Sequence, residues 1–599
     1  MKLIYTYVIN YRNFKDLEFT LTSSYRVQLV GSPHDWKGIR ISKSRSSDNF
    51  QRSTPKNILS ISAIVGRNAT GKTNFVEMLG ANYQDTKENG DSENAYFLMY
   101  APNNDENAYF FFEVVSPNRF GSLFSWMQPA KNRADRSPCM SGWCKYDSSN
   151  NSLVATEADY QKSENSIIIS LRDHFQENPL NRTYSLPVRR RSKGYRPETF
   201  SSQVKVVQQL YGKEGRTVLQ DSEYSVEAVC NMDFLENGLS GTPYETKPLF
   251  PVLSNMEKIP AESRKAVRLA ESWLKFLFGT LLHNNFDSWG IVSYVIEHLI
   301  EEGRLHNPGH SEDGVFDITQ VQQVLSHIIS DLRPELEGYE IKVAEDDQFL
   351  TEILTNKVLE RTESGFIIPV VSKSHVVEGT ADLTSTLIDN FLRTYDLAKE
   401  FIQPAWKHIS EGELWYIHFL ASLSEVMEYI ENAEDINTCI LVLDEPETHM
   451  HPDLARQLLN NLTQWLQDYV KINIQIILTT HSPFVLSDLE RGNVQILSRQ
   501  GTDSRTQYGV KVNSPKKQTY AANIYALLTD SFFLDSGFGE MARREIKSIM
   551  EDLNGEMIDR SQREHIKRVI DSVGELLVQR KLNELFQKKS GMTHNQDKE

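Results

Sequence analysis

Two acidic side chains, Asp444 and Glu445, stand directly after the apolar run that opens ILVLDEPETHMHP at residues 440–452. A strand this apolar is buried on both faces, where an unpaired carboxylate is costly. The acids therefore need a cation, a donor or a water at the strand's end. Far upstream, GRNATGKT at 66–73 lies between the strand-like NILSISAIV and the helix-like TNFVEML. That segment fits G-x-x-x-x-G-K-[ST] in the strand, turn and helix setting the motif requires. Gly66 and Gly71 let the backbone wrap closely around phosphate oxygens, and the amides of Arg67, Asn68, Ala69 and Thr70 and the helix N-terminus offer donors to an anion. Lys72 neutralises terminal phosphates, and Thr73 supplies a hydroxyl to Mg²⁺. The distant acids then acquire roles: Asp444 holds Mg²⁺ through water, and Glu445 orients and deprotonates the water that attacks the γ-phosphate.

These groups need a sheet to bring them together. After the acids, DLARQLLNNLTQWLQDY places Leu454, Leu458, Leu462 and Trp465 or Leu466 at helical spacing, as expected of a helix covering a parallel sheet. The apolar strand INIQIILTT follows and ends at His481 in THSPFVLSD, where the imidazole can donate to a γ-phosphate. Upstream, ISEGELWYIHFLASL at 409–423 starts a helix with Leu414, Ile417, Leu420 and Leu423 on its apolar face. Ser410 and Gly412 lie at its N-terminal end, suited to an anion, while Glu413 is also readable as a plain first-turn acid.

GRNATGKT, ISEGE, ILVLDEP and TTHSP, in that order, resemble the Walker A, signature, Walker B and switch-histidine motifs of ABC-type ATPases. The opening INYRNFKDLEF is similar to the N-terminal strand of the Rad50, SMC, RecF and OLD branch. In that branch the Arg of N-[FY]-R, here Arg12, contacts nucleotide phosphate. DEPETHMHP and THSPF resemble the OLD-like and bacterial defence ATPases more than transporters, and QTYAANIYALLTDSFFLDSGF is similar to stretches of stand-alone, Septu-like defence ATPases. The resemblance covers roughly residues 1–80 and 400–535. His451 stands where transporters carry the D-loop Asp, and Gln84 is the candidate Q-loop glutamine although no strand is evident before it.

The resemblance implies an α/β fold in which an ABC-type P-loop ATPase head is formed by both ends of the chain. It also implies Mg-ATP binding with slow hydrolysis, and a homodimer or higher oligomer of head-to-tail heads in which Ser410 and Gly412 cap the ATP held by a partner's Lys72. The expected role is the ATPase sensor or regulator of an antiphage system with a separate nuclease or toxin effector. A RecF- or Rad50-like DNA-binding repair ATPase and a nucleotide-loaded scaffold that does not hydrolyse are the rival readings.

The whole chain sets the frame. Its 599 residues exceed one core and imply two to four units. With 39% hydrophobic and 24% charged residues it is an ordinary globular composition, and a net charge of -17 argues against indiscriminate coating of nucleic acid. The densest apolar run, FLFGTLL at 276–282, is too short for a membrane span, and MKLIYTYVINYRNF lacks a signal-peptide core. Four scattered cysteines agree with a reducing, cytoplasmic address, and Cys139 and Cys144 lack a second pair for zinc.

The expected division is 1–84 and 406–535 for the head, 85–405 for an insertion, and 536–599 for a helical extension with a polar tail. The insertion reads as mixed strand and loop, including AYFFFEVV, and then from about 261 as helical, with no heptad repeat for a long coiled coil. Within it, TYSLPVRRRSKGYRPETF gathers Arg189, Arg190, Arg191, Lys193 and Arg196 beside aromatic residues. That segment is readable as a nucleic-acid or acidic-partner contact, or as a solvated loop paired with acids. LHNPGH, with His306 and His310, reads as a loop. The C-terminal region shows no D-x-D nuclease constellation, so cleavage is expected to reside in another protein.

Overall fold

The computed structural model describes residues 1–33, 35–44, 54–80, 93–103, 109–127, 139–156, 165–172, 188–195, 199–211, 224–230, 360–361, 365–371, 402–407, 409–433, 435–500, 509–532, 537–555 and 558–596, with single residues 197, 298, 388 and 392. Strands β1 (Lys2–Tyr11), β2 (Phe14–Thr20), β3 (Tyr25–Ser32), β4 (Asp35–Lys43) and β5 (Ile58–Gly66) lead into helix α1 (Lys72–Gly80). Then come β6 (Ala95–Ala101), β7 (Tyr109–Val115), β8 (Cys139–Asp147), β9 (Ser152–Ala155), β10 (Ser166–Arg172), β11 (Val188–Gly194) and α2 (Phe200–Tyr211). Next are β12 (Tyr224–Cys230), β13 (Glu360–Arg361), β14 (Gly365–Val371), β15 (Ile402–Lys407), α3 (Glu411–Glu431), β16 (Thr438–Asp444) and α4 (Pro452–Tyr469). The described chain ends through β17 (Asn473–Thr480), α5 (Pro483–Ser487), β18 (Val494–Gln500), β19 (Gly509–Asn513), α6 (Ile524–Asp530), α7 (Glu540–Asn554), α8 (Arg560–Ser572) and α9 (Leu576–Gln596).

The central sheet runs β11-β10-β16-β17-β5-β18-β19, parallel throughout except for β19 at one edge. Strands covered on both faces need apolar side chains at every position, and β16 and β17 are buried over almost their full length. Their alternation divides the core. Cys439, Leu441 and Leu443 face the layer of α2, α3 and α4, whereas Ile440 and Val442 face α1 and a second sheet. That second sheet, β2-β1-β6-β7-β8-β9, is antiparallel. Its other face packs Tyr7, Phe97, Phe112 and Phe120 around Trp36 of the β3-β4 hairpin, with Tyr7 and Trp36 edge to face at 5.5 Å. Aromatic area on both faces makes this sheet the platform under α1.

Within the span expected as an insertion, strands β6 to β9 belong to the antiparallel sheet, β10 and β11 to the parallel one, and α2 packs against the latter. A four-stranded sheet, β13-β14-β12-β15, gathers later pieces of the span. Within the stretch expected to be helical, residues 365–371 and 402–407 are strands, while SRKAVRLAESWLKFLF and ITQVQQVLSHIISDL lie outside the described residues, as do His306 and His310.

The basic segment is also different. Residues 188–194 form edge strand β11, not a loop, and two of its charges, Arg190 and Lys193, meet acids inside the protein. Arg190 donates to Glu113 of β7 at 3.0 Å and to the Leu79 carbonyl at 3.0 Å; the two side chains are 6% and 2% exposed. Lys193 pairs with Glu425, Arg189 with Asp435, and the Arg191 guanidinium lies 5.0 Å from the Tyr429 ring centre. Arg196 lies outside the described residues.

Cys139 and Cys144 belong to different cores on the two faces of the antiparallel sheet, which excludes their sharing one metal. Burial pushes the Cys139 thiol up to about 12. At the C-terminal end, α7, α8 and α9 surround a small core of Ile549, Leu553, Ile566, Ile570 and Leu582. Among the described residues, no helix is long and apolar enough to cross a membrane.

Candidate functional site

The carboxyl ends of β5, β16 and β17 bring the separate motifs together. Residues 66–71 turn β5 into α1, with Thr70 Oγ1 donating to the Arg67 carbonyl at 2.8 Å and the Phe75 amide to the Gly71 carbonyl at 3.0 Å. Gly71 has φ +101°, and a Cβ there would lie 2.6 Å from the Phe14 ring and 2.8 Å from Asn13 Oδ1. Replacing Gly71 by Ala is therefore expected to cost about 1–3 kcal/mol in backbone strain, before the clash is counted. The variant should melt earlier and lose ATP affinity, measured by a thermal ramp and titration calorimetry.

Lys72 begins α1 with its side chain only 5% exposed. Its Nζ lies 3.2 Å from the Gly66 carbonyl, 2.7 Å from His481 Nε2 and 3.3 Å from Glu445 Oε1. His481 Nε2 and Glu445 Oε1 are 3.2 Å apart. Positions 72, 445 and 481 thus form one cluster. The hydrogen bond from His481, helped by Lys72, holds the Glu445 carboxyl below the usual carboxylate range. Glu445 has φ +51°, a conformation disfavoured for a side chain with Cβ, and is pinned by its amide donating to the Thr479 carbonyl and hydroxyl, each at 3.1 Å.

Asp444 accepts a hydrogen bond from Thr479 Oγ1 at 2.6 Å, and the Thr73 hydroxyl also bonds its carboxylate. Burial pushes the Asp444 carboxyl up, against those two hydroxyls. One hydroxyl and one carboxylate at the start of α1 are hard oxygen donors, and they fit Mg²⁺ that takes its remaining ligands from phosphate and water.

Several contributors had no role assigned to them by the sequence. Asn13 reaches the loop, donating to the Thr70 carbonyl at 3.4 Å and accepting from Asn74 at 2.7 Å. Arg499 at the end of β18 donates to the Asn68 carbonyl at 3.1 Å. Glu447 is buried and accepts from the Thr480 hydroxyl and the His481 amide. A cleft of ≈ 1040 Å³ opens beside the loop, bounded by Arg67, Asn68, His481, Arg499, Leu528 and Phe532 among others. Its last two walls come from the late stretch similar to defence ATPases.

Other expected residues sit elsewhere. Arg12 pairs with Glu77 and donates to Asn74 Oδ1 at 2.9 Å, so it braces the outer side of α1 and leaves the approach to the loop to Asn13. Ser410 caps α3 in a reciprocal capping box with Glu413. A Cβ on Gly412 would lie 3.3 Å from both the His449 carbonyl and the His451 amide, so the start of α3 abuts the segment after Glu445. His451 caps α4 by accepting from the Asp453 amide. Gln84 lies outside the described residues.

Residues 262–487 match a family described as "AAA domain, putative AbiEii toxin, Type IV TA system". The match includes Ser410, Asp444, Glu445 and His481, and it reaches back into the centre, where the sequence carried no recognisable motif. A stretch of 145 residues is 29% identical to endonuclease GajA of Bacillus cereus (strain HuB5-5), covering 23% of this chain and 20% of that protein. The chain resembles the OLD-like antiphage ATPases. It spans about a fifth of the length of this curated relative. The AAA-type match and the α/β sheet agree on a P-loop ATPase domain, with the loop of residues 66–73 at the carboxyl end of a central strand of that sheet.

Proposed function

We propose that the chain is an ABC-type ATPase whose head is formed by both ends of the sequence, and that it binds Mg-ATP and hydrolyses it slowly. The observation carrying this reading is the convergence of Lys72, Glu445 and His481 at the carboxyl edge of one parallel sheet. Lys72 and the amides of 67–71 neutralise and orient the β- and γ-phosphates. Thr73 and Asp444 hold Mg²⁺, which supplies charge neutralisation at the phosphates. Glu445, kept ionised, orients a water and accepts its proton, while His481 donates to the γ-phosphate. Phosphate release from Mg-ATP by the purified chain tests this; absence of both binding and release would overturn it.

The head-to-tail pair is part of the same reading. The Ser410 hydroxyl donates to Glu413 within its own helix turn, so it must turn away from that carboxylate to join the Gly412 amide as a donor to a partner's nucleotide. Mixing Lys72→Ala with Ser410→Arg chains in equal amounts should restore about a quarter of wild-type hydrolysis, because half of random dimers are mixed and each has one intact site of two. Mixed dimers without any rescue would count against shared sites.

In biological context the protein is a cytoplasmic antiphage ATPase that controls a separate nuclease or toxin. The likeness to the OLD-like group supports this placement. DNA cleavage by the purified chain alone would overturn the separate effector.

A further inference from the structure

Glu447 lies two residues beyond Glu445, yet its side chain turns inward and is 8% exposed as a residue. Its Oε1 accepts from the Thr480 hydroxyl at 2.5 Å and from the His481 backbone amide at 2.9 Å, while Oε2 is buried with no hydrogen-bond partner among the described residues. An orphaned buried carboxylate oxygen is costly, so the position needs a reason. An apolar side chain would avoid that cost but would leave the Thr480 hydroxyl and the His481 amide without this acceptor.

The reason lies in what Oε1 connects. Residues 445–451 leave β16, whereas Thr480 and His481 end β17. The backbone contact between these exits is the Glu445 amide on the Thr479 carbonyl, two residues short of the histidine. Glu447 adds the next link, gripping His481 itself by its amide. The Ser482 amide donates to Thr480 Oγ1 at 2.9 Å, so the hydroxyl that bonds Glu447 also ties down the far side of the histidine.

We infer that Glu447 is a positioning residue for hydrolysis: its buried carboxylate fixes the His481 backbone to the loop that carries Glu445, and so sets the spacing of imidazole, water-orienting carboxylate and Lys72. The assignment rests on the hydrolytic reading of the site. The same loop abuts Gly412 through His449 and His451. A partner's nucleotide at the start of α3 therefore acts on a segment already bonded to His481.

Turnover and ATP affinity of Glu447→Ala, Glu447→Gln, His481→Ala and the Glu447→Ala/His481→Ala double variant test this. A catalytic group displaced by about 1 Å loses about 100-fold in rate, so Glu447→Ala should lose turnover on that scale while ATP affinity stays within about threefold. Glu447→Gln keeps an oxygen acceptor and should recover to within about tenfold of wild type. If Glu447 acts through His481, the alanine change should lower turnover by less than about twofold when His481 is already absent. Independent, multiplicative losses would overturn the assignment, as would wild-type turnover in Glu447→Ala. Should the wild-type chain bind ATP without hydrolysing it, the hydrolytic reading fails separately. The positioning is then decided by NMR of the His481 ring, whose resonances must shift in folded Glu447→Ala; unchanged resonances would overturn it.

Discussion

Glu445→Gln should bind Mg-ATP as tightly as the wild-type chain and release phosphate at least about 100-fold more slowly, the scale of losing a positioned general base. The amide keeps the size and one acceptor, so Lys72 and His481 retain a polar neighbour. What disappears is the carboxylate charge, whose ionised form the hydrogen bond from His481 and the Lys72 cation favour. Lys72→Ala should behave oppositely, losing affinity first, because the cation nearest the phosphates is gone. Equilibrium binding of a fluorescent ATP analogue and steady-state phosphate release separate the two. Normal turnover in Glu445→Gln would remove Glu445 from the mechanism and reopen the scaffold that holds nucleotide without hydrolysing it.

The second large effect concerns stability. Glu113→Ala should destabilise the protein by about 3–5 kcal/mol, because Arg190 then stays charged in a site that excludes water. The pair joins β7 of the antiparallel sheet to β11 of the parallel one, with the Leu79 carbonyl at the end of α1 as a further acceptor. Replacing both partners by apolar residues of similar volume should recover most of the loss, since no charge is left stranded. Denaturant unfolding of the single and double variants measures this. If changing Arg189, Arg190 and Arg191 to Glu abolished nucleic-acid binding and left unfolding unchanged, β11 would be a binding surface rather than a structural edge.

The chemistry is legible because each motif is short and local. Gly66 to Thr73, Asp444 and Glu445 keep their spacing whatever surrounds them, and the strand and helix around each motif follow from apolar period. Glu447 escapes such reading because its role lies across strands: only the pairing of β16 with β17 brings it to His481. Resemblance alone gives Arg12 a phosphate to contact, whereas its ion pair with Glu77 on α1 becomes legible only once the helix is built. The basic strand misleads for a similar reason. Arg190 and Lys193 look like a solvated run because their acids, Glu113 and Glu425, lie far along the chain. Parallel neighbours leave no local signal of pairing, so nothing in the sequence marks β10 and β11 as the edge of the parallel sheet that holds β5.

That wide spacing has a consequence for synthesis. Strand β5, which presents the phosphate loop, pairs with β17 and β18, and roughly 400 residues separate Gly66 from Asn473. At about 5–20 residues per second, this gap takes roughly 20–80 s to translate. In that interval β1, β2 and β6 to β9 can close their antiparallel sheet from early sequence alone, while β5 waits without either sheet partner. The nascent chain therefore completes the sheet around the loop of residues 66–73 in a late step, and ATP cannot assist folding there until β17 and β18 have left the ribosome.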